Sequence, residues 1–117
     1  MSALEQCLAA YAAGEVPPRD IEKAAVKETL ARLTDAVPGN SVEVRIPPYA
    51  AVQIIQGAKH RRGTPPAVVE ADARTWLLLC AGRHTWREAS STGRLRASGE
   101  RSDLSDTLAT LFPPHLP

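Results

Sequence analysis

The sequence contains no long apolar run and no strong excess of charge of either sign. Its apolar runs, such as Trp76 to Ala81, are far shorter than the roughly 20 residues of a membrane-spanning helix. With 14 basic and 13 acidic residues the net charge is +1, so no overall field attracts nucleic acid or an anionic membrane. The one short basic cluster has no aromatic neighbour, which also argues against nucleic-acid binding. We therefore expect neither a membrane span nor a nucleic-acid partner.

Cysteine and targeting signals are equally scarce. Cys7 and Cys80 are the only cysteines, and each lies among apolar residues of a predicted helix, where a free thiol usually packs as a small hydrophobe. The N-terminus lacks the basic flank and apolar core of a secretory signal, and the ending is not a peroxisomal Ser-Lys-Leu address. We expect free thiols and a cytoplasmic location.

What is present is typical of one folded domain. The chain has 117 residues, of which 44% are hydrophobic and 23% charged, as in ordinary globular proteins. We expect a single domain over residues 1–117, in which residues 1–16 hold an N-terminal helix and residues 113–117 form a loose tail.

The first forty residues carry helical signals. Ser2 and Glu5 have the spacing of a capping box, which predicts a first helix that ends near Ala13. Pro17-Pro18 separates it from a longer amphipathic helix, ended by Pro38-Gly39. The apolar stripe of this second helix is Val26, Leu30, Leu33 and Val37.

The period then changes to two, which is typical of strands. Alternation from Ser41 to Ile46 predicts a half-buried strand, and the run Tyr49 to Ile55, apolar on both faces apart from Gln53, predicts a more interior one. Gln56 to Pro66 is a loop by composition and holds the basic cluster Lys59-His60-Arg61-Arg62. A third strand is predicted over Ala67 to Ala71.

The second half alternates short helices with one strand. Asp72 is the predicted cap of a helix that ends at Gly82, and Thr85 with Glu88 forms a second capping box for a short helix that stops at Gly93. Arg94 to Ser98 alternates as a strand. A last helix, capped by Ser102, carries Leu104, Leu108, Leu111 and Phe112 before Pro113-Pro114 ends it.

The segment Trp76-Leu77-Leu78-Leu79-Cys80-Ala81-Gly82-Arg83, followed by Trp86, Ala89 and Gly93-Arg94-Leu95-Arg96-Ala97-Ser98-Gly99, resembles the sterol carrier protein family. The stretch Ser41 to Gln53, with Arg62-Gly63-Thr64-Pro65-Pro66, resembles its bacterial branch, so that the resemblance covers nearly the whole chain. It implies an α+β fold in which a small mixed sheet has helices packed on one face. It also implies an apolar space that holds fatty acyl chains or sterols.

Two groups of residues are candidates for such a ligand site. The predicted apolar walls are Val52, Ile54, Trp76, Leu79, Trp86, Leu104, Leu108 and Phe112. Plain core packing explains the same residues, because apolar stripes at helical spacing are chiefly what makes helices dock. The predicted contacts for an anionic head group are Arg61, Arg62 and Arg96, since arginine forks hold carboxylate or phosphate. A solvated basic loop is the alternative.

Catalysis has little support in the sequence. The three histidines, His60, His84 and His115, are far apart and have no metal-ligand spacing, and no phosphate-binding glycine loop follows a strand. Cys80 lies on a predicted buried helix, where thiols are usually inert. We expect a protein that is not an enzyme, needs no cofactor or metal, and binds a lipid or fatty acid. The alternative is a protein interaction module with a filled core, and either could form a homodimer.

Overall fold

Helices cover one face of a four-stranded sheet in the computed structural model, which describes residues 1–57 and 67–112. The elements in chain order are α1 Ala3–Ala12, α2 Arg19–Ala36, β1 Pro38–Ile46, β2 Ala50–Ile54, β3 Ala67–Ala71, α3 Ala73–Cys80, α4 Trp86–Ser91, β4 Leu95–Ser98 and α5 Ser105–Leu111. The predicted basic loop Lys59 to Arg62 and the predicted tail 113–117 lie outside the described residues.

The helix starts follow from local capping. Both predicted capping boxes form: the Ser2 hydroxyl accepts from the amide of Glu5, and the Thr85 hydroxyl accepts from the amide of Glu88. Asp72 caps α3 by accepting from the amide of Thr75 at 2.8 Å. The structure thus confirms the three predicted caps. They could be predicted because each needs only two residues that are three apart in the sequence.

Two glycines end α3 and α4 as predicted. Gly82 has φ +71° and Gly93 has φ +77°, in the left-handed region that a side chain disfavours. Each glycine reverses the chain within a residue or two of its helix. The short spacing between α3, α4 and β4 is possible for this reason.

The sheet has the order β2-β1-β3-β4, so β1 and β3 are its two interior strands. β1 pairs antiparallel with β2 and parallel with β3, and β3 pairs antiparallel with β4. The prediction that the Tyr49 to Ile55 segment is an interior strand is therefore wrong, because β2 is an edge. The segment reads as apolar on both faces because it contains Ala50 and Ala51. Alanine is small enough to be tolerated at a sheet edge, and Ala51 is in fact exposed.

Burial alternates along β1 and β3, as expected when the helices of the described residues pack on one side of the sheet. Val42, Val44 and Ile46 are buried while Arg45 between them is exposed. Val69 continues the buried face on β3. The α+β class and the mixed sheet with helices on one face are confirmed.

Two element starts differ from the sequence-based expectation. The last helix begins at Ser105 rather than after Ser102, whose hydroxyl instead donates to the carbonyl of Gly99. The N-cap residue of this helix is Leu104, whose side chain forms no capping hydrogen bond. The side chain of Asp103 instead accepts from the amide of Ser105, the first residue of the helix, at 3.0 Å. β1 begins at Pro38 rather than Ser41, through irregular pairing with β2 that alternation does not predict.

Trp76 is the largest fully buried side chain and links two helices. Its indole N–H donates to the hydroxyl of Thr29 at 2.9 Å, across the interface of α3 with α2. The Thr29 hydroxyl lies 3.0 Å from the carbonyl oxygen of Ala25 and 2.9 Å from that of Val26, so its own proton also has an acceptor. The buried polar atoms at this interface are thus mutually satisfied.

We predict that Thr29→Val lowers the free energy of unfolding by about 1–3 kcal/mol, because it leaves the buried indole N–H of Trp76 without an acceptor. Urea unfolding followed by circular dichroism measures this change. Thr34→Val, on the same helix, is the matched control, since the Thr34 hydroxyl donates only to the carbonyl of Ala31 and its loss should cost about 0.5 kcal/mol or less. Equal losses for the two variants would contradict the role given to Thr29.

Candidate functional site

The eight predicted apolar wall residues all belong to one hydrophobic cluster between helices and sheet. Six of them are buried, and Val52 and Trp86 are partly buried against the others. The six buried members are Ile54, Trp76, Leu79, Leu104, Leu108 and Phe112. The structure therefore brings the predicted wall residues into a single layer.

Within that layer the predicted residues are spread across the whole sheet. Val52 and Ile54 belong to β2, and Trp86 begins α4, which packs on β4. β2 and β4 are opposite edges of the sheet, about 14 Å apart when neighbouring strands are separated by about 4.8 Å. The predicted wall residues are thus spread along the apolar layer and do not enclose a single pocket.

The layer is closed in this conformation. Ile54, Trp76 and Leu104 have 0% exposed surface, whereas a side chain that lined a space large enough for a water molecule would keep some accessible area. Leu108 and Phe112, at the α5 end, retain 4% and 8%. Leu79 on α3 retains 7%, and Val52 and Trp86 are only partly buried. The core is therefore packed around its fully buried members, and the wall residues that keep some exposure are spread over several elements.

Of the predicted anion contacts, only Arg96 lies within the described residues, and it lines an open cleft of about 340 Å³. The cleft lies where the end of β3 meets the start of β4. Its charged side chains are Glu70 and Asp72 on one side and Arg94 and Arg96 on the other. Arg61 and Arg62 lie outside the described residues, so their predicted role is untested.

A second polar cluster joins α1, α2 and the turn before β2. Glu22 accepts hydrogen bonds from the hydroxyls of Tyr11 at 2.5 Å and Tyr49 at 2.8 Å. Burial, followed by the hydrogen bond to Glu22, raises the pKa of both tyrosines. The guanidinium of Arg74 lies 5.8 Å from the centre of the Tyr11 ring. This cluster fastens three elements together.

The groove beside this cluster has a volume of about 270 Å³ and is bordered by Val16 and Pro17. Val16 is 89% exposed. Both carboxylate oxygens of Glu22 are already engaged by tyrosine hydroxyls. The cluster is explained by its structural role.

The two cysteines are free and buried. Burial raises the pKa of the Cys80 thiol, and burial together with the nearby carboxylate of Glu22 raises that of Cys7. A raised pKa leaves little thiolate, which is the form that attacks electrophiles and binds metals. Among the described residues, no group of three or more His, Cys, Asp or Glu side chains could hold a metal ion.

The charged cleft was only partly identified from the sequence. Arg94 and Arg96 are visible as an alternating pair, and Asp72 as a helix cap, but Glu70 carried no signal of its own. Its position opposite Arg96 depends on the β3–β4 register, which joins residues far apart in the chain. The Glu22 cluster was missed for the same reason, since Tyr11, Glu22 and Tyr49 come from three separate elements.

The fold and its apolar layer define an α+β domain with helices packed on one face of a small mixed sheet. A family model described as "Bacterial SCP ortholog" matches residues 18–110, which is most of the chain. The chain therefore belongs to the bacterial sterol carrier protein family. The resemblance from Trp76 to Gly99 predicted the sterol carrier protein family, and the stretch from Ser41 to Gln53, with Arg62 to Pro66, predicted its bacterial branch. No curated protein matches the chain. Within the described residues, no helix is long and apolar enough to cross a membrane.

We predict that Cys7 and Cys80 react with a thiol reagent at pH 8 more than about a hundredfold slower than an exposed thiol, because reaction requires opening of a core stabilised by several kcal/mol. Disulfide exchange with Ellman's reagent measures the rates, and peptide mapping assigns them to each cysteine. Ser90→Cys, at an exposed position of α4, supplies the reference thiol. A Cys80 rate equal to that reference would show that this thiol is accessible and would overturn the prediction.

Proposed function

We propose that the protein is a non-catalytic carrier that binds a small apolar ligand, a fatty acyl chain or another lipid, between its helical layer and its sheet. The observation that carries the proposal is family membership over residues 18–110. The single apolar layer supports it, because sites for small ligands are lined mainly by hydrophobic side chains. The inert state expected of the buried thiols supports a role without catalysis.

A ligand can enter this layer only if part of it moves, since the core is packed. The element that we expect to move is α5. It is two turns long, it has no side-chain hydrogen bond from its N-cap residue, and it packs on α2 and α3. Its displacement would uncover Leu104, Leu108 and Phe112, which are all predicted wall residues. We therefore assign the entrance to α5.

One arginine holds the end of α5 in the closed position. The Arg32 guanidinium on α2 donates to the carbonyl oxygen of Leu111 at 3.0 Å. Its carbon also lies 4.5 Å from the centre of the Phe112 ring, within the range of a cation–π interaction. Both contacts must break when α5 leaves.

We predict that Arg32→Ala strengthens the binding of a fluorescent fatty acid about tenfold. Loss of a hydrogen bond and a cation–π contact lowers the opening free energy by about 1–2 kcal/mol, and apparent affinity rises with the population of the open state. Fluorescence titration of the delipidated protein measures the affinity, and mass spectrometry of an organic extract identifies lipid retained after purification.

Arg83→Ala is the control, because Arg83 is exposed at the end of α3 and far less change is expected there. Equal affinities for the Arg32 and Arg83 variants would place the ligand away from α5. Neither retained lipid nor fatty acid binding in any variant would overturn the carrier proposal itself.

The packed core favours a second candidate function, a protein interaction module that binds no ligand. β2 is an edge strand, and its residues Ala51 and Gln53 are exposed. Among the described strands this edge has no partner on its outer side, and such an edge offers backbone N–H and C=O groups for pairing with another strand. The partner that this edge fits directly is β2 of a second copy, paired antiparallel in a symmetric dimer.

If the interaction module is correct, we predict a concentration-dependent dimer that Gln53→Lys converts to monomer, because lysines at an edge repel a second copy of the same edge. Light scattering coupled to size exclusion measures the mass. Ala24→Lys adds the same charge at an exposed position of α2 and should leave the dimer intact. A protein that is monomeric at every concentration would remove this candidate.

A further inference from the structure

The cleft between β3 and β4 holds two facing rows of opposite charge. Glu70 is paired with Arg96 in the strand register, and Ala71 with Leu95. Asp72 and Arg94 follow at the next position, where their side chains are 4.0 Å apart. The carboxylates therefore belong to β3 and the residue after it, and the guanidinium groups belong to β4 and the residue before it.

The charges of this cleft are only partly used within the protein. Asp72 is fixed by its capping bonds to the amide and hydroxyl of Thr75, and its ion pair with Arg94 is long and solvent-exposed. Within residues 1–57 and 67–112, Glu70 and Arg96 form no ion pair with each other or with another side chain. Arg45, the other neighbour of Glu70 in the sheet, is paired with Glu43 instead.

The balance of charge selects the type of ligand. Two carboxylates and two guanidinium groups sum to zero, so a simple anion would lose to Glu70 and Asp72 much of what it gained from the arginines. A molecule with both charges can place its anion on the arginine row and its cation on the carboxylate row. Adjacent strands lie about 4.8 Å apart, so its two charged groups should be separated by a short carbon spacer.

The cleft has the size and shape for such a ligand. Its volume of about 340 Å³ is at the lower end for small-molecule sites, and Pro47 and Ala71 provide apolar surface for a spacer. Arginine can hold a carboxylate or phosphate with two parallel hydrogen bonds. The carboxylate of Glu70 can accept from a primary ammonium.

We propose that this cleft binds a small zwitterion whose phosphate or carboxylate is held by Arg94 and Arg96 and whose primary ammonium is held by Glu70. Phosphoethanolamine has these groups at a suitable separation, either free in solution or as a lipid head group. The site lies on the open face of the sheet, opposite the apolar layer, so it does not depend on the carrier function.

Titration of the ¹⁵N-labelled protein with O-phosphoethanolamine, followed by amide chemical shifts, tests the proposal. We expect shifts confined to residues 70–72 and 93–97, with a dissociation constant of about 1 mM or below. Phosphocholine, whose quaternary ammonium has no N–H donor, should bind about tenfold more weakly. Inorganic phosphate should bind more weakly still.

Three variants separate the two charged rows from general surface charge. Arg96→Gln should weaken phosphoethanolamine binding by at least about tenfold. Glu70→Gln should remove the preference for phosphoethanolamine over phosphocholine. Arg87→Gln, on the exposed side of α4, is the control and should bind as the parent does. Unchanged amide spectra outside the cleft confirm that each variant is folded.

Sedimentation with phosphatidylcholine vesicles, with and without phosphatidylethanolamine, identifies the source of the zwitterion. Capture that requires phosphatidylethanolamine and Arg96 assigns the site to a head group, and binding of soluble phosphoethanolamine alone assigns it to a free ligand. The proposal is overturned if phosphoethanolamine causes no shifts at the cleft at roughly 20 mM, well above the expected dissociation constant. Phosphate binding as tight as phosphoethanolamine binding would equally overturn it.

Discussion

The hydrogen bond from Trp76 to Thr29 is the constraint on which the helical layer depends. An indole can be fully buried only if its N–H finds an acceptor, and the acceptor here is a hydroxyl on a different helix. This requirement restricts the rotation of α3 about its axis relative to α2. The restriction agrees with the apolar stripes of the two helices, since Leu30 and Leu33 on α2 and Leu77 on α3 are buried in the same core.

Several large side chains of this core, among them Ile54, Trp76 and Leu104, are fully buried, which explains why family membership alone does not define an open site here. The apolar residues form one layer, and Trp76 is its largest fully buried side chain. At the C-terminal end of α5, Arg32 donates to the carbonyl of Leu111 and lies over the ring of Phe112.

Features that depend on near neighbours in the chain could be predicted from the sequence, and features that depend on pairing could not. The capping boxes at Ser2 and Thr85 and the glycine ends of α3 and α4 are local geometry, and the structure confirms them. The place of β2 in the sheet depends on the competition among strands for β1, and alanines, which are tolerated on either face, gave a misleading signal. The start of α5 was missed because Asp103, rather than Ser102, bonds the first-turn amide.

The same distinction applies to the candidate sites. Periodicity predicted which apolar side chains would be buried together, but whether they leave a space depends on side-chain fit, which no pattern encodes. The charged cleft needs the β3–β4 register, since Glu70 and Arg96 are separated by two helices in sequence. In the sequence these charges are indistinguishable from those of an ordinary solvated surface. Only the strand register shows that opposite charges lie in facing rows.

The first helix adds a different consequence. The family match begins at residue 18, yet α1 contributes Cys7, Leu8 and Tyr11 to the buried core. The part of the chain that matches the family is thus smaller than the part that forms the hydrophobic core. Removal of α1 would therefore expose apolar surface of the core, so a fragment cut to the matched range should be less stable than the whole chain.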